Sequence, residues 1–220
     1  MQAELLGVPA QQIQKFRVVL ASASPRRREI LGKFLSQFDV IPSTFEEDLD
    51  KSEFDTAGDY CVATALVKAL DVSKKCHDGD SRPTLVLASD SIVVRDKDIL
   101  EKPKDIEEAR EMLMSLSDRW HQVCSAVVLC RVHEGRVDVL SKHCETTCVQ
   151  FAPLSERLVE DYISTGEPFD KAGGYGYQGI ACQFVTRIEG CYFNVVGLPA
   201  FYVAAALRDA FTDRNFAPSD

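Results

Sequence analysis

One apolar run, TLVLASDSIVV over residues 84–94, constrains this chain more than any other stretch. Its load of Val, Leu and Ile fits a strand buried on both faces, which requires packed layers on each side. Ser89-Asp90-Ser91 breaks the run. A carboxylate in such surroundings must be hydrogen-bonded, metal-bound or at the end of the strand.

The neighbouring segments supply those layers. Residues 16–21 (FRVVLA) read as a second buried strand, and residues 38–42 as a third. After the first comes Ser22-Ala23-Ser24-Pro25, where Ser24 can cap a helix with Pro25 at its first position. Ile30, Leu31, Phe34 and Leu35 form that helix's inward stripe. A second helix carries Tyr60, Ala63, Leu66, Val67 and Leu70, and a third spans 105–117. Strand-like stretches at 119–131 and 136–151 flank His133-Glu134-Gly135, a hairpin turn. A helix at 154–164, a strand pair around 180–195 and a last helix over 198–210 complete the chain. Strands alternating with helices, plus a central hairpin, indicate an α/β fold with a mixed sheet. Residues 1–15 read as a loose extension, 16–208 as one domain and 209–220 as a tail.

Charge narrows the function. The chain of 220 residues has 25 Lys+Arg against 34 Asp+Glu, a net charge of −9. That balance argues against a nucleic-acid polymer as partner. No stretch approaches the roughly 18 apolar residues of a membrane span. The charge is unevenly spread, however. Residues 1–36 hold six basic and two acidic side chains, whereas residues 37–60 hold eight acidic and one basic. This pattern fits either a solvated acidic loop or an anion site beside a metal site.

The eight Cys lie at 61, 76, 124, 130, 144, 148, 182 and 191, with no Cys-x-x-Cys pair. His143 adjoins Cys144, but neighbours on a strand point to opposite faces, and the set matches no zinc template and suggests no disulfide framework. The N-terminus lacks a basic region followed by a long apolar core. A reducing, cytoplasmic setting follows, with the Cys as small buried hydrophobes.

Gly174-Tyr175-Gly176-Tyr177-Gln178-Gly179 matches G-x-G-x-x-G, but a helix precedes it and a strand-like run follows, the reverse of the dinucleotide-binding order. The glycines fit a tight bend or a close backbone approach to a ligand. No G-x-x-x-x-G-K-[ST] is present.

Three features carry chemistry. Ser22-x-Ser24-x-Arg26-Arg27 puts hydroxyls, backbone N–H groups and guanidiniums at a helix N-terminus, which suits an anion. Asp90 is the second. Glu101-Lys102-Pro103 and Asp170-Lys171-Ala172-Gly173-Gly174 form the third, each setting a Lys beside a turn. Singly, they fit a capped helix, a turn-former and surface lysines. Together they suit phosphoryl chemistry, which needs cations on phosphate oxygens and carboxylates for Mg²⁺ and water.

These residues stand in ordered blocks: Leu20-Ala21-Ser22-Ala23-Ser24-Pro25-Arg26-Arg27, Ser89-Asp90-Ser91, Glu101-Lys102-Pro103, Gly166-Glu167-Pro168, Asp170-Lys171-Ala172-Gly173, Tyr175-Gly176-Tyr177-Gln178-Gly179 and Asn194-Val195-Val196-Gly197-Leu198-Pro199. Over residues 16–208 the chain resembles the Maf family of nucleoside triphosphate pyrophosphatases, including vertebrate members joined to a methyltransferase-like domain. The resemblance implies a twisted mixed sheet flanked by helices, shared with inosine triphosphate pyrophosphatases. It also implies a homodimer and a divalent metal, Mg²⁺ or Mn²⁺.

The activity so implied is hydrolysis of a nucleoside triphosphate to the monophosphate and pyrophosphate. By the same resemblance Asp90, Glu47 and Lys102 are catalytic, with Asp90 and Glu47 holding the metal. Arg27, Lys68, Lys102 and Lys171 hold phosphates, helped by Ser22 and Ser24. Arg26, Ser91 and Gln178 are the positions at which family subgroups differ. Arg26 and Gln178 match the subgroup acting on dTTP and UTP, where Ser91 replaces a usual Thr and Ala88 a usual Gly. The 7-methyl-GTP subgroup carries Trp and an acid in place of that Arg and Gln. A non-catalytic module of the same fold is the competing reading, against which stands the retention of Asp90, Lys102, Lys171 and Glu47.

Overall fold

A computed structural model describes residues 5–45, 49–76 and 82–212. Seven strands form one sheet: β1 (Arg17–Leu20), β2 (Asp39–Val40), β3 (Thr84–Arg95), β4 (Asp98–Leu100), β5 (Trp120–His133), β6 (Arg136–Phe151) and β7 (Val185–Glu189). Their order is β2-β1-β3-β5-β6-β7, with β4 also on β3. The β1 pairings with β2 and β3 are parallel, and the remaining pairs are antiparallel. The expected mixed sheet is present. Its hairpin turns at Glu134 (φ 49°) and Gly135 (φ 76°), both left-handed, as a tight turn matching the strand twist requires.

Side-chain alternation along the strands explains the layers. Leu85 and Leu87 of β3 face one core, shared with α2 (Pro25–Leu31) and α7 (Ala200–Thr212). Val86 and Ala88 face the other, shared with α3 (Ala57–Lys75). A third cluster joins α4 (Ile106–Leu116) and α5 (Glu156–Ile163) to the far part of the sheet around Val93, Val149 and Phe151.

Three expectations are corrected. Residues 5–15 are not a loose extension. They include a short helix, α1 (Ala10–Gln14), and bury Leu5 and Val8 against Phe211 and its neighbours. Residues 209–212 continue the last helix, with Ala210 and Phe211 buried. The strand pair around 180–195 is one strand, Val185–Glu189, between a 3-10 turn at Ile180–Gln183 and a short helix, α6 (Tyr192–Val196). Among the described residues, no helix is long and apolar enough to cross a membrane.

The sheet has a gap that defines the site. β1 follows β3 only as far as Leu20 opposite Leu87, and β4 joins β3 only from Val93. Between them, residues 88–92 of β3 have a strand neighbour on the β5 side alone. The Ser89-Asp90-Ser91 triplet lies in that gap.

Candidate active site

The gap opens into a cleft of about 380 Å³. Ser22, Ser24, Arg26, Arg27, Lys68, Asp90, Ser91, Lys102, Lys171 and Gln178 all line it. Glu47 lies outside the described residues. Among the described residues, five basic side chains (Arg26, Arg27, Lys68, Lys102 and Lys171) face three acidic ones, Asp90, Glu101 and Asp170. The described lining thus carries more positive than negative side chains in a chain of net negative charge, which favours an anionic ligand.

Strand alternation divides the triplet. Asp90 shares the α3 face with Val86 and Ala88, and is 4% exposed. Lys68 of α3 donates to Asp90 Oδ1 at 2.7 Å. The carboxylate thus sits within the strand rather than at its end, and a buried ammonium compensates it. Ser89 and Ser91 face the other way, toward α2.

There Arg27 acts as a clamp. Ser24 accepts from the Arg27 backbone N–H at 3.4 Å, so the expected cap and helix start are in place. The guanidinium donates to Ser22 Oγ (3.2 Å), Ser89 O (2.8 Å), Ser91 Oγ (3.0 Å) and Gly197 O (3.0 Å). It ties the start of α2 to the open edge of β3 and to the turn before α7. Ser91 Oγ also lies 2.9 Å from Ser125 Oγ on β5.

The opposite wall is the turn region 166–179. Lys171 Nζ donates to Glu167 O at 2.7 Å and bonds the Asp170 carboxylate, which also pairs with Arg26 at 3.5 Å. Burial works to raise the Asp170 pKa, but Lys171 and Arg26 outweigh it and hold the carboxyl below its usual range. A Cβ on Gly176 would lie 2.5 Å from Lys171 Cε, and one on Gly179 would lie 2.1 Å from Glu167 Oε1. These glycines make room for the side chains that shape this wall. The G-x-G-x-x-G stretch leads into a 3-10 turn and a strand, so the dinucleotide-binding context is absent.

The structure adds Glu101, a residue of the Glu101-Lys102-Pro103 block whose role depends on its folded neighbours. Its carboxylate lines the cleft, accepting from Tyr60 OH at 2.6 Å and from Lys51 Nζ at 2.8 Å. Burial and the Glu101 bond raise the Tyr60 pKa, so the phenol stays a neutral donor. Lys102 is exposed and lines the same cleft.

The Maf-like protein family model matches residues 17–210. The chain belongs to the Maf-like family. This Maf-like chain is 42% identical to a dTTP/UTP pyrophosphatase of Clostridium perfringens, over 88% of this chain and 96% of the relative. It is 41% identical to a nucleoside triphosphate pyrophosphatase of Dictyostelium discoideum, over 81% and 84%. It is 46% identical to a human protein described as a probable bifunctional dTTP/UTP pyrophosphatase/methyltransferase, over 83% of this chain but 30% of that protein. Among solved structures, a HAM1 protein from Coxiella burnetii covers 89% of the Maf-like chain at 16% identity, with a TM-score of 0.40.

Proposed function

We propose that the protein is a nucleoside triphosphate pyrophosphatase acting on dTTP, UTP and related pyrimidine nucleotides. The observation that carries this reading is the convergence of the sequence motifs on one cleft, its described lining more basic than acidic, around a buried carboxylate, Asp90. The names of relatives above 40% identity over most of both chains support the same substrates.

Asp90 accepts a proton from the water that attacks the α-phosphorus, and pyrophosphate leaves. Lys68 pairs with Asp90 and orients it. Lys102 and Lys171 hold the β- and γ-phosphates, together with the α2 N-terminus presented by Ser22 and Ser24. Arg27 fixes Ser22 and Ser91 in place, a positioning role that the geometry favours over the simple phosphate contact implied by the family resemblance. Arg26, Ser91 and Gln178 line the part of the cleft that selects the base. The Gln178 amide can both donate to and accept from the imide edge of uracil or thymine.

A divalent cation fits the donors present. Asp90 and Glu101 offer carboxylate oxygens in the cleft, while the described residues include no group of three or more His, Cys, Asp or Glu that could hold a metal alone. Mg²⁺ suits such a site because it takes one or two carboxylates and completes its shell with substrate phosphates and water. When bound, the cation neutralises charge on the triphosphate. Glu47, the partner acid implied by the family resemblance, belongs to the same proposal.

A homodimer and a reducing, cytoplasmic setting complete the reading. Exposed Leu6 and Phe201, each 81% exposed, support an interface, and cysteine spacings without a disulfide framework support the compartment. The test is pyrophosphate release across a panel of triphosphates with Mg²⁺ or Mn²⁺. dTTP and UTP should turn over fastest, and Asp90→Asn should lower kcat by orders of magnitude. No release from any triphosphate would favour a non-catalytic module.

A further inference from the structure

Behind Asp90, away from the cleft, lies a cluster of three thiols that the proposed chemistry does not use. Asp90 stands opposite Ala126, and Ala126 opposite Cys144, so the three form one cross-strand row on the α3 face. Cys124 is two residues along β5 on the same face. Ala126 contributes only a methyl group, and α3 fills the space above it with Cys61, which is fully buried.

Cys61 and Lys68 are seven residues apart, two turns along one face of α3. Both reach the same carboxylate. Lys68 Nζ takes Oδ1 at 2.7 Å, and Cys61 Sγ donates toward Oδ2 at 3.7 Å, with Cys124 O a second acceptor at 3.7 Å. Cys124 and Cys144 pack beside Cys61 and complete a buried thiol cluster under the carboxylate.

We infer that Cys61 is a positioning residue, which with Lys68 fixes the orientation of the Asp90 carboxylate in the cleft. One helix thus grips both oxygens and stops rotation about the last side-chain bond. A carboxylate held this way presents the same lone pair to water in every molecule, and preorganisation of this kind acts on kcat rather than on substrate binding. The inference rests on Asp90 being the proton acceptor proposed above.

Cys61→Val removes the donor and keeps an apolar side chain, Cys61→Ser keeps a donor, and Cys124→Val perturbs the cluster without touching Asp90. The effect of a weak thiol donor to a charged acceptor is about fivefold. Cys61→Val should therefore lower kcat for dTTP by about fivefold with KM changed by less than about twofold. Cys61→Ser should recover most of that loss, and Cys124→Val should stay near the parent. Equal losses in all three variants, or a loss confined to KM, would overturn the inference.

A second readout needs no turnover. The Raman difference between parent and Cys61→Val isolates the Cys61 S–H stretch, and Asp90→Asn should move that band to higher frequency. An unmoved band overturns the inference. A band shift in Asp90→Asn alongside a parent protein that releases no pyrophosphate counts against the proposed function instead.

Discussion

Lys68 and Asp90 form a buried ion pair, 2.7 Å from Nζ to Oδ1, with side chains 11% and 6% exposed. Removing one partner of such a pair strands the other without water. Lys68→Met should cost about 3 kcal/mol of stability in urea denaturation. Replacing both residues with apolar ones should recover most of that loss, because the penalty comes from the orphaned charge rather than from the missing attraction.

Gly176 separates a binding effect from a folding effect. The side chain that an added Cβ would meet is the flexible end of Lys171, at Cε and Cδ. Gly176→Ala should therefore push Lys171 out of place at small cost in stability. KM for dTTP should rise about tenfold, the worth of one charged contact, with the urea midpoint nearly unchanged.

His121 sets a pH dependence of stability. It is 3% exposed, its Nε2 lies 2.7 Å from Tyr175 OH, and burial lowers its pKa from 6.5 to about 4. The unfolded chain thus binds a proton near pH 6.5 that the folded chain takes up only near pH 4. This contribution is fully present above pH 6.5 and is lost as pH falls toward 4. A shift of that size is worth about 3 kcal/mol. His121→Asn should remove that share of the slope between pH 6.5 and 4 in urea denaturation.

Gln178 is exposed at the cleft, so a substitution there should leave stability within about 0.5 kcal/mol. Gln178→Glu replaces a group that donates and accepts with one that only accepts. The preference for dTTP and UTP over purine triphosphates, measured as the ratio of kcat/KM values, should fall by about tenfold or more.

Much of this site was legible because each motif also carries a structural signal. Ser24 and Pro25 announce a helix start, and that start places Ser22 and Arg27. The broken apolar run announces a buried carboxylate, and α3 supplies its partner at a helical spacing from Tyr60. The gap between β1 and β4 was not legible, because it depends on where two separate strands stop pairing with β3. Strand β4 is three residues long, too short for a periodicity. Glu101 carries no local signal, because its role depends on Lys51 and Tyr60, which are distant in sequence. The apolar stretch after Gly179 resembled paired strands, but the short segment packs as turns under Phe151 and Tyr162. Residues 5–15 lack a clear stripe, and the C-terminal helix supplies the core that buries them.

The central claim is that water, activated at Asp90, attacks the α-phosphorus. Hydrolysis of dTTP in ¹⁸O-labelled water, with mass analysis of both products, tests it most directly. The label should appear in the nucleoside monophosphate, with unlabelled pyrophosphate released in equal amount, and Asp90→Asn should abolish both signals. Label in the pyrophosphate, or release of a nucleoside diphosphate and inorganic phosphate, would contradict the account.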